Sequence, residues 1–167
     1  KCDGDQIVIE DDVLTLSRKS TAELTNDEKI YLIENCFHAN PERMIKRSRR
    51  YQELRKKTEQ FTDEDYRDLV VHYGLAWLGE FERKTEFYAY YIEKDKGYTE
   101  KEKDQLFSEL HTLFLYTLDI HRRLAASGQI ELSTTPFYHP ILPLLCDTNS
   151  AHEAMPVLPL PEKQFVA

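Results

Sequence analysis

Only five glycines and three cysteines occur among the 167 residues, and basic side chains are outnumbered 22 to 30 by acidic ones. Each shortage excludes something. With so few glycines, none of them clustered, there is no glycine-rich phosphate loop. Cys2, Cys36 and Cys146 are odd in number, widely spaced and free of any C-x-x-C pair, so neither a disulfide framework nor a structural zinc site is indicated. Free thiols, and an opening KCDGDQ without an apolar signal-type stretch, point to a reducing, cytoplasmic setting. A net charge of −8 argues against a nucleic-acid partner, because neutralising phosphates takes a basic surface. The basic clusters Lys46–Arg50 (KRSRR) and Arg55–Lys57 are flanked by glutamates and read as the solvated face of a helix. Apolar runs of the roughly 20 residues that span a bilayer are missing, so no membrane partner is expected.

Metal and nucleophile signatures are equally absent. The six histidines, His38, His72, His111, His121, His139 and His152, show no H-x-x-x-H or H-E-x-x-H spacing that would set two rings on one helical face. No G-x-S-x-G elbow occurs, and Cys36 and Cys146 lie in apolar sequence, where a thiol behaves as a small hydrophobe. No cofactor and no metal are expected.

What is present is helix. Hydrophobic residues make up 41% and charged ones 31%, the balance of a globular chain long enough to bury a core. Residues 1–24 form an acidic N-terminal segment with Ile7-Val8-Ile9 as a short strand candidate. Residues 25–127 read as a helical region punctuated by three capping boxes, Thr25 to Glu28, Thr62 to Asp65 and Thr99 to Glu102. The helix after Thr62 carries a broad apolar face (Tyr66, Leu69, Val70, Tyr73, Leu75, Ala76, Trp77) with Gly79 as its stop, and Trp77 is expected to pack within the helical layer. The run Phe87–Tyr91 reads as core or interface in preference to a sugar-stacking platform. The helix after Thr99 is the longest, with Leu106, Leu110, Leu113, Phe114, Thr117, Leu118 and His121 along one side and a stop at Ser127-Gly128.

Residues 128–167 differ in character. Gln129–Ser133 alternates polar and apolar residues between a glycine stop and Thr134-Thr135-Pro136, the pattern of a short strand, and a proline-rich tail follows with Pro156, Pro159 and Pro161. A lone strand needs partners, so either the stretch near Ile7 pairs with it or its sheet lies outside this chain. A carboxylate at a strand end, Glu131, followed by a stiff loop holding Phe137, Tyr138 and His139 between Pro136 and Pro140, suits sugar recognition. Carboxylates and amides hydrogen-bond hydroxyls, and sugar C–H faces stack on rings. α/β barrels build their ligand sites on such loops. A Glu in this position is equally compatible with a solvated or salt-bridged surface residue, and His139 with a turn cap.

Gly128-Gln129-Ile130-Glu131 followed by Thr135-Pro136-Phe137-Tyr138-His139-Pro140-Ile141-Leu142-Pro143-Leu144-Leu145 resembles, nearly position for position, a segment of the family-57 glycoside hydrolases. Looser similarity surrounds it: Asn35–Asn40 with Met44-Ile45, Arg50–Leu54, Asp68-Leu69 with Leu75–Leu78, and Asn149–Phe165, so that the resemblance extends over residues 25–167. It implies a seven-stranded, TIM-like (β/α) barrel of the α/β class and a retaining reaction on α-linked glucans. Such a reaction needs two carboxyl groups about 5–5.5 Å apart. In the family the Glu that matches Glu131 lines the substrate site and is not the nucleophile; Gln129, Tyr138 and His139 are carried over as further substrate-binding residues.

Two departures qualify the match. The family's His-Gln-Pro segment does not occur here, and its nucleophilic Glu and acid/base Asp lie on strands after the GQIE segment. The chain, which opens on Lys1, therefore reads as an interior part of one catalytic domain. It is expected to be mostly α with one or two short strands, to hold no catalytic residue, and to be inactive alone. Its expected partners are an α-glucan and the missing part of the catalytic domain. The alternatives are a non-catalytic helical module that binds glucan or protein, and one component of a split enzyme.

Overall fold

The computed structural model describes residues 11–58, 60–135 and 141–163, with the backbone of residues 2–3 and 6–7. Two-residue strands β1 (Cys2–Asp3) and β2 (Gln6–Ile7) pair antiparallel, Cys2 opposite Ile7 and Asp3 opposite Gln6. Eight α-helices follow among the described residues: α1 (Asp12–Ser17), α2 (Asn26–Cys36), α3 (Arg49–Lys56), α4 (Asp63–Ala76), α5 (Glu86–Lys94), α6 (Glu100–Ala126), α7 (Leu142–Cys146) and α8 (Ala151–Ala154). The chain divides into two compact units, residues 1–118 and 119–167. No barrel is present among the described residues. No helix among them is long and apolar enough to cross a membrane.

All three capping boxes form. Thr25, Thr62 and Thr99 each accept a hydrogen bond from the backbone three residues on, while Glu28, Asp65 and Glu102 reach back to the threonine N–H at 2.8, 2.6 and 2.8 Å. Two otherwise orphaned N–H groups are satisfied at each helix start. α4 ends at Ala76, three residues before Gly79, because Trp77 already turns its N–H back to the carbonyls of Gly74 and Leu75.

In the first unit α4 is central and apolar on two sides. Leu69 and Val70 join Leu32, Cys36, Ile45, Tyr51 and Leu54 from α2, α3 and the turn between them. Val71 and Leu75 join Tyr88, Tyr91, Tyr98 and Leu106 from α5, α6 and the turn between them. A helix buried nearly all round needs that doubled stripe. The aromatic run of α5 is therefore core at Tyr88 and Tyr91, with Tyr90 turned outward. Val13 and Leu24, on either side of the 3-10 turn Thr21–Glu23 and its approach, also reach this core, so the described part of the acidic start is packed. α6 is fully buried only at Lys103, Leu106 and Phe107; its apolar stripe continues into exposed Phe114 and Leu118.

The basic cluster Lys46–Arg50 is not wholly a solvated face. Lys46, Arg47 and Arg49 pair outward with Glu42, Glu80 and Glu53, but Arg50 turns inward. Its Nε donates to Asp68 at 2.7 Å and its Nη2 to Asp65 at 2.8 Å. Lys57 also donates to Asp65, at 2.7 Å. Two carboxylates buried on one side of α4 require this compensation.

The second unit begins inside α6, which stops as a Schellman motif: Gln129 N–H returns to the Leu124 carbonyl and Gly128 N–H to that of Ala125, with Gly128 at φ +71°. Residues 129–135 then run without regular structure, so the expected strand at Gln129–Ser133 does not form. Extended backbone becomes a strand only when its N–H and C=O groups meet a neighbouring strand. The paired strands among the described residues are β1 and β2. Further on, α7 and α8 flank a 3-10 turn started by Asp147, whose carboxylate accepts from the Asn149 N–H at 2.9 Å. Ile141, Leu142, Leu145, Met155 and Val157 are exposed.

Candidate functional site

The residues expected to contact sugar fall in the second unit. Gln129 and Glu131 lie on the irregular stretch after the Gly128 stop, both exposed. Tyr138 and His139 lie outside the described residues.

A partly buried polar cluster lies in the first unit, where α3 meets the end of α5. Asp95 sits in the left-handed region at φ 56°, a conformation that aspartate tolerates better than most side chains. Its carboxylate accepts from Ser48 Oγ at 2.8 Å and from the Arg50 backbone N–H at 3.1 Å, capping α3. His72 lies 3.5 Å from Ser48 Oγ but only 2.7 Å from the Asp95 carbonyl. A ring nitrogen facing a carbonyl must donate, so Nε2 carries the proton and cannot serve Ser48 as a base. Ser48 Oγ also accepts the Tyr51 N–H at 2.9 Å. Burial lowers the pKa of His72, only partly offset by Asp95. The adjoining cavity of about 30 Å³ leaves room for little more than a water. Ser, His and Asp meet here as a structural clasp, not as a nucleophilic triad.

A different site opens between α1, α4 and α6. This groove, of about 620 Å³, has a floor of Gly74, Phe107 and Leu110. A Cβ at Gly74 would stand 2.8 Å from Leu110 Cδ1, so glycine lets α6 approach α4 here. One wall is Trp77 with Tyr73, four residues apart on α4 and at its cap, their rings edge-to-face at 6.1 Å. Phe114 lines the opposite side, and Asp11, Thr15, Arg18 and His111 bring polar groups. Trp77 is 61% exposed and Phe114 44%. The expected packing of Trp77 inside the helical layer is thus corrected: as the cap of α4 it stands past the last buried turn. The i, i+4 spacing of Tyr73 and Trp77, and the 107, 110, 111, 114 spacing on α6, were the signals available in the sequence, but they do not distinguish a packed face from an open one.

Among the described residues no three His, Cys, Asp or Glu side chains converge as a metal site. Cys36 is buried, and its thiol is pushed up to about 12, chiefly by burial and further by the negative charge of Asp11. The sequence model described as Glycosyl hydrolase family 57 matches residues 15–157, a span that takes in the end of α1, all of α2 to α8 and the GQIE…TPFYHPILPLL segment. No curated protein and no solved structure matches the chain.

Proposed function

Since the chain belongs to glycosyl hydrolase family 57, a family of glycosidases acting on carbohydrate, we propose that it serves the processing of α-linked glucans by a retaining mechanism. The family match over residues 15–157 carries this reading, because it takes in the whole segment from Gly128 to Asp147 that resembles the family's sugar-contacting strand and loop. In this reading Gln129, Glu131, Tyr138 and His139 line the donor-sugar site. Glu131 accepts hydrogen bonds from ring hydroxyls, Gln129 and His139 add donors, and Tyr138 offers both a ring face and a hydroxyl.

Retention requires a nucleophile and an acid/base about 5–5.5 Å apart. We assign neither to this chain: the resemblance puts both on strands after the GQIE segment, where residues 132–167 show no match to them. The seven-stranded barrel, the partner segment completing it and the cytoplasmic setting belong to the same reading, the last supported by free thiols at Cys36 and Cys146. Incubated with starch or maltoheptaose, the 167-residue chain is expected to release no reducing sugar; turnover above a denatured control would overturn the assignment.

A further inference from the structure

We propose that the groove between α1, α4 and α6 is an oligosaccharide-binding subsite, with the indole of Trp77 and the ring of Phe114 as its stacking surfaces. The proposal goes beyond the Glu131 reading and takes from it only the choice of an α-glucan as probe.

Three observations favour sugar over a purely apolar occupant. First, the two most exposed side chains among the groove's apolar lining are both aromatic, and they face an open cleft of about 620 Å³. That volume lies in the range of small-molecule sites, roughly 300–1,000 Å³. A sugar ring presents one apolar C–H face, which a planar aromatic surface complements, and a rim of hydroxyls, which it does not. Second, the hydroxyls are provided for. Among the described residues neither the Arg18 guanidinium nor the His111 ring has a hydrogen-bonding or ionic partner, so both stand ready as donors beside the aromatic wall. Asp11 spends one carboxylate oxygen on the Leu14 N–H at 2.9 Å and keeps acceptor capacity on the other. A hydrophobic helix docked here would bury these three groups without partners, at a cost that sugar hydroxyls remove. Third, the stacking platform is rigid. Tyr73 holds the indole edge-to-face, and the backbone of Trp77 is fixed by its two capping hydrogen bonds, so little ordering is required on binding.

The family acts on carbohydrate, which supplies a ligand of this chemistry. Neutral, hydroxyl-rich oligosaccharide also suits a chain of net charge −8 better than an anionic ligand does.

The test uses the full chain and its single tryptophan. Maltoheptaose should shift Trp77 emission saturably. Calorimetry should show at least tenfold weaker groove binding in Trp77→Ala and in Phe114→Ala, with partial recovery in Trp77→Tyr and unchanged circular dichroism in all of them. A Trp77 response to cellohexaose but not maltoheptaose would uphold a sugar subsite in the groove and overturn the α-glucan as its ligand. No emission change with either sugar, and equal calorimetric affinity in wild type and Trp77→Ala, would overturn the subsite. So would an amphipathic dye that binds the groove and is displaced by neither oligosaccharide, since that marks an apolar docking surface.

Discussion

Arg50 and Asp68 form an ion pair in which the guanidinium Nε donates to Oδ2 at 2.7 Å while the carboxylate side chain is fully removed from solvent. The other oxygen, Oδ1, accepts from the backbone N–H of Gly97 at 2.9 Å and of Tyr98 at 3.2 Å. One carboxylate thereby ties α3, α4 and the turn between α5 and α6 together. A buried charge persists only with this degree of compensation, and removing one partner leaves the other's desolvation unpaid for.

Arg50→Met should therefore destabilise the chain by about 3–5 kcal/mol, since Asp68 and Asp65 stay buried with fewer donors. Urea denaturation at pH 7 measures this. The double variant Arg50→Met/Asp68→Leu should recover part of the loss, because it removes the stranded charge as well; a double variant less stable than the single one would contradict the account.

Acid should weaken the fold through Asp65. Burial alone would raise its pKa, but hydrogen bonds from Lys57, Thr62 and Arg50 outweigh burial and take it from its ordinary 3.8 to about 2. A carboxylate depressed on folding contributes stability above its unfolded pKa and loses it as pH falls through the folded one. The contribution, on the order of 2 kcal/mol, should be intact at pH 5 and disappear between about pH 4 and pH 2. Asp65→Asn should flatten the stability curve in that window, as read by denaturant midpoints at half-unit pH steps.

Cys36 should be chemically silent in the folded chain. It is fully buried, its thiol is pushed up to about 12, and Tyr51 donates its hydroxyl proton to the Cys36 carbonyl above it. In a Cys2→Ser/Cys146→Ser background, Ellman's reagent should label nothing at pH 8 until urea unfolds the first unit. Rapid labelling without denaturant would mean that α2 opens locally.

Glu131→Gln should leave stability within about 0.5 kcal/mol of wild type, because the side chain is exposed and outside regular structure. If Glu131 lines the proposed donor-sugar site, calorimetry with maltoheptaose in the Trp77→Ala background should show at least tenfold weaker affinity for Glu131→Gln. Unchanged affinity there would remove Glu131 from the site.

The helix starts at Thr25, Thr62 and Thr99 and the stop at Gly128 were legible because capping and Schellman chemistry is local: donor and acceptor lie within five residues of each other. The family was legible for a similar reason, since a contiguous segment carries the resemblance. The inward turn of Arg50 was not, because a basic cluster among glutamates has the same pattern whether or not one member meets a buried carboxylate 18 residues away. Nor was the open position of Trp77, whose spacing from Tyr73 fits a packed face as well as a groove wall.

What the sequence by itself determined is the helical framework between Thr25 and Ser127, its caps, and membership in a carbohydrate-acting family. Only the tertiary structure decided which members of each apolar or charged stripe are covered: Tyr91 and Arg50 inward, Trp77 and Phe114 outward, and Gln129–Ser133 left without a strand partner. Periodicity specifies a face, but burial and strand pairing depend on what distant segments place against it.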